Sequence, residues 1–262
     1  MRAMQSRPSV ARTYNYVLDG RDNYGPDKEL GDAFMSDLPG SEALAITNRS
    51  AMIRAAKALA DAGVHQVIDM GCGLPAEPNV HQVIRERDPQ ARIVYVDNDP
   101  FVVAHGRALL AIDDSIVVIE ADVREPEKIF ENPAVQRLIN FDEPVGILFS
   151  VVLSFVADEE GPAGIVRFWT EKIPPRSVVY ISHFRPGVSR EAAATERKIQ
   201  EAFGGRFRDD KGILDCFGDL KLLDDGLTPC RQWHPEPGSP SVEEKPLTSW
   251  EELVVAAIAE KG

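Results

Sequence analysis

The sequence has few cysteines, few basic residues and no long apolar run. Its three cysteines, Cys72, Cys216 and Cys230, are far apart and form no CxxC pair, so neither a disulfide framework nor a zinc site is expected. Lys and Arg total 29 against 42 Asp and Glu, and the net charge of −13 disfavours nucleic acid and anionic membrane surfaces as partners. No run approaches the ~18–20 apolar residues that span a bilayer, and residues 1–10 lack the apolar segment of a secretory signal. We therefore expect a cytoplasmic protein with no nucleic-acid, membrane or metal partner.

Residues 1–63 have helical apolar periodicity in three short segments. Gly20 and Gly63 suit the ends of the first and third helices, and Pro26 suits the first turn of the second. None of these helices can bury a core alone. We expect them to form an N-terminal helical cap on a domain covering 64–235.

From residue 64 the pattern changes to short β-branched runs that alternate with helical stretches. The predicted strands are 65–70, 92–97, 116–120, 145–151 and 177–182, and the predicted helices are 79–87, 100–110, 127–138, 161–172 and 190–203. Strands separated by helices imply parallel βαβ crossovers. The predicted fold is α/β, a doubly wound, mostly parallel, seven-stranded sheet.

The C-terminal part is predicted to close this sheet and then leave it. Segments 221–223 and 228–233 flank Asp224, Asp225 and Gly226, which predicts a terminal antiparallel hairpin. Residues 236–262 are predicted to form a linker and a C-terminal helix, because Ser249 and Glu252 have the spacing of a capping box. An exposed apolar face on that helix would allow a homodimer.

Three acidic loops at predicted strand ends carry the chemistry. Asp69 precedes the Gly71–Cys72–Gly73 turn, where glycines allow close approach of a ligand. Asp97 ends the next strand and can accept hydrogen bonds from both hydroxyls of a ribose. Asp122 ends the third strand and can accept from an adenine amine, beside the Val123 backbone N–H. The series predicts a site for a nucleoside-bearing cofactor.

Charge discriminates between the two cofactors that this pattern allows. Residues 71–76 fit the G-x-G-x-x-[GA] pattern of dinucleotide sites, but Pro75 has no N–H for a diphosphate and the Asp69 carboxylate would repel one. A carboxylate suits the ammonium and sulfonium of S-adenosylmethionine (SAM), which has no phosphate. The interpretation favours SAM, with an NAD-dependent oxidoreductase and a non-catalytic SAM-binding regulator as the alternatives.

Five further segments are distinctive: VARTYNYVLDGRDNY at 10–24, NRSAMIRAA at 48–56, GLPAEPNVH at 73–81, VYVDNDPFVVAHGRALLA at 94–111 and GL-x-P-x-x-x-W at 226–233. In these segments the sequence resembles a bacterial S-adenosyl methyltransferase family formerly known as a domain of unknown function, within the class I (Rossmann-like) SAM-dependent methyltransferases. Three positions depart from what the resemblance leads us to expect: Asn15 replaces Asp, Asp19 replaces Gly and Ser154 replaces His.

The resemblance implies methyl transfer from SAM to an unidentified acceptor and assigns site residues by position. Gly71, Cys72 and Gly73 would line the methionine part of SAM, Asp97 and Asn98 the ribose, and Asp122 and Val123 the adenine, with Ser150 and Val151 in the far wall. Tyr14, Tyr16, Gly20, Asn23 and Tyr24 of the cap would fold over the sulfonium, where aromatic faces suit a cation.

His183 follows the fifth predicted strand, so it should face the same rim as the cofactor. We take it as the candidate general base, needed for a hydroxyl or thiol acceptor. The apolar fourth strand and the aromatic cap favour a small-molecule acceptor.

Overall fold

The computed structural model describes residues 7–223, 226–241 and 243–262. Its strands are β1 (Gln66–Met70), β2 (Arg92–Asp97), β3 (Ile116–Glu120), β4 (Gly146–Ser150), β5 (Val178–Phe184), β6 (Lys221–Leu222), β7 (Thr228–Pro229) and β8 (Val254–Glu260). Its α-helices are α1 (Val10–Val17), α2 (Gly25–Asp37), α3 (Ala43–Asp61), α4 (Val80–Arg85), α5 (Pro100–Leu109), α6 (Pro126–Phe130), α7 (Pro133–Leu138), α8 (Pro162–Lys172), α9 (Arg190–Phe203) and α10 (Asp210–Leu214).

All eight strands belong to one sheet with the order β3-β2-β1-β4-β5-β8-β6, and β7 also pairs with β8. Strands β1 to β5 are parallel, whereas β8 runs antiparallel to β5. Successive residues of β1 enter different cores: Val67 packs in the core that includes α3, and Ile68 packs in the core that includes α8. The predicted doubly wound, mostly parallel α/β fold is confirmed. It brings the carboxyl ends of β1 to β5 to one edge.

The segment predicted as a C-terminal helix is strand β8. All residues from Val254 to Ile258 are buried, because β8 pairs with β5 along one edge and with β6 and β7 along the other. A stretch that is apolar on both faces has no helical signature of its own. The capping box exists one residue earlier than predicted, between Thr248 and Glu251, and it opens a single 3₁₀ turn at Glu251–Leu253. The argument for a dimer through that helix therefore falls away.

The predicted terminal hairpin is also wrong. Strands β6 and β7 are both antiparallel to β8, so they run in the same direction and form an interrupted strand along one edge of β8. Neither segment pairs with the other among the described residues, and Asp224 and Asp225 of the predicted turn lie outside those residues. The described residues contain eight strands where seven are predicted, because β8 stands in place of the predicted C-terminal helix.

Helix α3 has a different place from the one that a cap implies. It packs against β4, β5 and β8, and its Ala55 and Leu59 are fully buried in the core of that sheet face. Helices α1 and α2 pack on each other and lie nearer the strand ends. Within the described ranges, no helix is both long enough and apolar enough to cross a bilayer.

Candidate active site

A cavity of about 390 Å³ lies at the carboxyl ends of β1 to β4. Its floor is formed by the loops that follow these strands, and its roof by residues of α1 and α3. Eleven of the predicted site residues line it: Tyr14, Asp69, Gly71, Cys72, Gly73, Asp97, Asn98, Asp122, Val123, Ser150 and Val151. The parallel strand order explains this convergence, because loops that are far apart in sequence leave the same edge of the sheet.

The turn after β1 requires glycine for two different reasons. Gly71 has a φ of +69°, and a Cβ there would lie 2.4 Å from Cγ2 of Val152. Its N–H and that of Cys72 both donate to the carbonyl oxygen of Val96, which fixes the turn to β2. Gly73 also has a positive φ, but a Cβ there would meet nothing within 4 Å. Gly71 therefore permits close packing against Val152, whereas Gly73 leaves open space beside the cavity.

Asp69 is a buried carboxylate on the cavity wall. Its residue is 3% exposed, and no group in the described part of the chain donates a hydrogen bond to it. Burial raises the pKa of Asp69 to about 7; the positive charge of Arg49 opposes the shift and the negative charge of Asp97 adds to it. Arg49 itself donates to the carbonyl oxygens of Ala76 and Pro78. A carboxylate in this state suits a cationic ligand group.

Asp97 is held at the end of β2 by backbone donors. The N–H of Gly73 donates to Oδ2 at 2.9 Å and the N–H of Asp99 donates to Oδ1 at 3.0 Å. Burial raises the pKa of Asp97, and these hydrogen bonds oppose the rise. Each oxygen keeps a lone pair for a further donor, such as a ligand hydroxyl.

Asp122 stands in a network of charged and polar side chains. Asn98 donates to Oδ2 at 3.0 Å, and Nε of Arg124 donates to Oδ1 at 2.8 Å. Arg124 also pairs with Glu160 at 2.9 Å. The hydrogen bonds from Arg124 hold the pKa of Asp122 well below its usual range. The loop after β3 therefore presents a fixed, ionised carboxylate.

The end of β4 has a strained backbone. Val151 has a φ of +61°, a conformation that a β-branched residue rarely adopts and that costs about 1–3 kcal/mol. Two contacts of its N–H hold it there, with the carbonyl oxygen of Ser182 at 3.1 Å and with Oγ of Ser182 at 3.0 Å. This conformation turns the chain into the 3₁₀ segment Val152–Phe155.

Asn48 connects the helical roof to the strand ends. Its Nδ2 donates to the Tyr14 hydroxyl and to Oγ of Ser150, both at 3.1 Å, and its Oδ1 accepts from Oγ of Ser182 at 2.6 Å. The Tyr14 hydroxyl donates to the carbonyl oxygen of Ala45 at 2.8 Å. Burial raises the pKa of Tyr14 to about 12. The network is therefore neutral at physiological pH.

Four of the cap residues that the sequence assigns to the site, Tyr16, Gly20, Asn23 and Tyr24, do not line the cavity. The Tyr16 hydroxyl donates to Asp32 at 2.7 Å, away from the strand ends. Asn23 donates to Oδ1 of Asn15 at 3.0 Å and to the carbonyl oxygen of Gly20 at 2.9 Å. Asn23 and Gly20 thus shape the loop after α1. Asp19, in that same loop, has a φ of +61°, at the position where the family resemblance leads us to expect glycine.

Arg12 joins the roof to the loop after β2. Its Nε donates to Asp27 at 2.8 Å, and its Nη1 lies 3.5 Å from a carboxylate oxygen of Asp99. Its guanidinium carbon lies 5.5 Å from the ring centroid of Tyr24 and 5.7 Å from that of Phe101. Tyr24 thus packs beside Arg12 and Phe101 and is absent from the cavity wall.

His183 is fully buried in β5 and does not line the cavity. Its Nδ1 lies 2.6 Å from the carbonyl oxygen of Phe184, so this nitrogen carries the proton. Its Nε2 accepts from Arg208 at 2.7 Å. Burial lowers the pKa of His183 to about 4. Both nitrogens are engaged inside the protein, which argues against the predicted role as general base.

Sequence reasoning missed Asn48, Arg49 and Arg124, which all line the cavity. Asn48 had a usable signal, because it interrupts the apolar face that Leu44, Met52 and Ala55 form on α3. Arg49 and Arg124 had none, since exposed arginines are common on helices and loops.

The fold and the cavity define a Rossmann-like protein with a nucleoside-type site, and comparison identifies the family. The sequence matches the family model of S-adenosyl methyltransferases over residues 2–262. The chain belongs to the S-adenosyl methyltransferase family; it is a SAM-dependent methyltransferase, and SAM is its cofactor. No curated protein matches the sequence.

Solved structures agree with this assignment. A candidate methyltransferase from Thermobifida fusca YX shares 34% identity with a TM-score of 0.92, over 98% of this chain and 96% of that chain. A DUF574 family protein from Streptomyces avermitilis MA-4680 shares 30% identity with a TM-score of 0.91, over 98% and 99%. The N-methyltransferase NodS from Bradyrhizobium japonicum WM9, in complex with S-adenosyl-L-homocysteine (SAH), has a TM-score of 0.50 at 12% identity, over 95% and 98%. The last likeness concerns the fold alone.

Proposed function

We propose that the protein methylates a small molecule that binds between the strand ends and the helical roof. The observation that carries this proposal is the position of α1: its Val10 and Tyr14, and Leu18 directly after it, lie on the cavity wall, over the strand ends. A macromolecular acceptor would have to displace this helix. The net charge of −13 also opposes a nucleic-acid acceptor.

The residues present fit SAM. The Asp69 carboxylate is buried without a hydrogen-bond donor from the described residues, and a ligand ammonium would supply one. The open space beside Gly73 would accommodate the methionine chain. A diphosphate would place negative charge against Asp69 and Asp97 and is disfavoured.

We assign the cofactor contacts as follows. Asp69 and the Gly71–Gly73 turn would hold the methionine part, with Asp97 and Asn98 at the ribose. Asp122 and Val123 would face the adenine, and Ser150 and Val151 would close the far wall. When bound, SAM supplies a methyl group on a sulfonium, which needs no further activation as an electrophile.

The chain's own contribution to the reaction is positioning and the exclusion of water. A neutral, fully connected hydrogen-bond network beside the cavity consists of Tyr14, Asn48, Ser150 and Ser182. Because it is neutral, it would orient bound ligand groups without exchanging protons with them. With His183 enclosed in β5, a proton released by the acceptor would pass to solvent.

Calorimetry with SAM, SAH, NAD and ATP tests the cofactor site. We expect SAM and SAH to bind and NAD and ATP not to bind. Binding of NAD in preference to SAM would refute the assignment of Asp69. Incubation with SAM and a library of small molecules, with release of SAH as the readout, then identifies the acceptor. Turnover of a nucleic acid or protein in place of small molecules would refute the proposed acceptor class.

The division into a cap (1–63), a SAM-binding domain (64–235) and a C-terminal segment (236–262), the cytoplasmic location and a homodimer stay predictions. Light scattering of the purified protein measures the oligomeric state directly.

A further inference from the structure

A second chamber, of about 90 Å³, adjoins the cofactor cavity. It lies among α1, α2, the start of α3, α9 and the ends of β4 and β5. The residues that line both spaces are Val10, Tyr14, Asn48, Val151, Phe155 and Phe184. The two spaces are therefore adjacent, with Tyr14 and Asn48 among the residues on their common boundary.

The chamber wall is strongly aromatic. Four of the chain's eleven phenylalanines line it, namely Phe34, Phe155, Phe184 and Phe203. The remaining wall is mostly aliphatic, with Leu44 and Ile199 among its members. Such a wall binds a hydrocarbon group by excluding water from it. The volume is below the ~150 Å³ of an engineered cavity that binds benzene, so it suits a short branched group.

One residue of the chamber wall, Thr13, carries a buried polar atom that is unsatisfied. Thr13 is 4% exposed, and its Oγ1 has no hydrogen-bond partner among the described residues. A helical threonine ordinarily bonds the carbonyl of the preceding turn or reaches solvent. Buried hydroxyls are nearly always paired in folded proteins, so this orphan points to a ligand that pairs with it.

The charge of the chamber excludes anions. Among the described residues that line it, Glu42 is the one that carries a charge at neutral pH, since Tyr14 is protonated. The nearby Lys198 ammonium lies 5.1 Å from the centroid of the Phe34 ring but is committed to Asp37 and to the carbonyl oxygen of Ala33. An anionic ligand would meet a carboxylate and no cationic partner.

We propose that this chamber is the acceptor subsite, and that it takes a small apolar molecule with a short branched hydrocarbon group and no anionic group. A hydroxyl or amino group of the acceptor hydrogen-bonds to Oγ1 of Thr13. The inference rests on the proposed function, because it places the acceptor beside the SAM cavity.

The test is calorimetry on the protein saturated with SAH. Three probes share one hydrocarbon body and differ in charge: 3-methylbutan-1-ol, 3-methylbutan-1-amine and 3-methylbutanoate. We expect the alcohol and the amine to bind and the carboxylate to bind at least about tenfold more weakly. Failure of all three to bind, or equal binding of the carboxylate, overturns the inference. Failure of SAH to bind in the first step contradicts the proposed cofactor site instead, so the two outcomes are separable.

Two chamber variants and one surface control test whether the probes bind in the chamber. Ala45 lines the chamber but not the cofactor cavity, so Ala45→Leu should fill the chamber and weaken the alcohol and amine at least tenfold. Ser50→Leu adds the same side chain at an exposed position of α3 and should leave their affinity within twofold. Thr13→Val removes the hydroxyl with little change in shape and should weaken the alcohol about fivefold. If Ala45→Leu does not fold, Thr13→Val decides; unchanged binding in the folded variants overturns the proposal.

Discussion

The two halves of the cavity differ in charge. The loops after β1, β2 and β3 each present a carboxylate, from Asp69, Asp97 and Asp122. The ends of β4 and β5 present a neutral network and apolar side chains, including Phe155 and Phe184. The carboxylate side suits the cationic, hydroxyl-rich cofactor, and the other side suits the apolar acceptor that we propose.

The two halves also differ in whether their buried polar groups have hydrogen-bond partners. In the carboxylate half, Asp69 is buried without a donor from the described residues, which destabilises the protein without ligand. In the neutral half, each polar atom of Asn48 has a partner, which fixes the roof helices to the strand ends. The comparison predicts that the carboxylate side gains stability from its ligand, whereas the Asn48 network is already paired without one.

The largest expected effect comes from crowding the glycine turn of the carboxylate half. Gly71→Ala places a Cβ 2.4 Å from Val152 in a left-handed conformation. We expect SAH affinity to fall more than about 100-fold and the free energy of unfolding to fall by about 2–3 kcal/mol. Gly63→Ala is the control, because Gly63 has a φ of +77° with nothing within 4 Å of a Cβ, and it should cost about 1 kcal/mol. Equal losses in the two variants would contradict the packing argument.

Removal of the second carboxylate should have the next largest effect. Asp97→Ala removes the acceptors for the Gly73 and Asp99 N–H groups and for the ribose hydroxyls. We expect calorimetry to show SAH affinity about 10- to 100-fold weaker. Asp142→Ala, at an exposed position, should leave the affinity unchanged. Wild-type affinity in Asp97→Ala would refute the ribose assignment.

Asp69→Asn should make the unliganded protein more stable and weaken its binding of SAM. The pKa of Asp69 is about 7 in the folded protein against 3.8 for a free aspartate side chain, so the folded state binds more protons between these values and stability falls as pH rises through this window. Asparagine removes that loss, and we expect thermal or urea unfolding at pH 8 to show a gain of about 1–2 kcal/mol.

The same variant should bind SAM about tenfold more weakly, because the ammonium loses its charged partner. In the wild type, affinity for SAM should decrease as pH falls below about 7, and the variant should lose much of this dependence. Tighter binding of SAM by Asp69→Asn would show that the carboxylate does not select a cation.

The smallest effect on binding is expected from His183→Gln. Because burial lowers the pKa of His183 to about 4 from the 6.5 of a free histidine side chain, the unfolded state binds more protons between these values. Its contribution to stability is therefore present above pH 6.5 and lost as pH falls toward 4. The variant should flatten that acid-side slope while SAH affinity stays within twofold. A tenfold loss of SAH affinity would place His183 in the site after all.

The sequence predicts strands β1 to β5 better than it predicts the C-terminal part of the sheet. Strands β1 to β5 have β-branched runs bounded by helices, and these strands occur within one or two residues of their predicted positions. The sequence does not predict strand β8, because polar and apolar residues do not alternate in Val254–Glu260. Its pairing with β6 joins residues that are more than thirty positions apart. Long-range pairing of this kind leaves no local signal.

The candidate site shows the same limit. Asp69, Asp97 and Asp122 are found from the sequence because each lies within two residues of the carboxyl end of a strand, and these strand ends converge. Asn48, Arg49 and the chamber beside Thr13 arise from helix packing across the strand ends, which spacing along the chain does not specify. His183 shows the reverse error: it follows the pattern, but its ring lies inside the sheet layer.

The position of β8 has a consequence for how the chain assembles. This strand is the latest of the eight along the chain, yet it pairs on both edges. On a ribosome, β5 would wait with an open edge until residue 260 has emerged, so the nascent protein depends on protection of that edge late in synthesis.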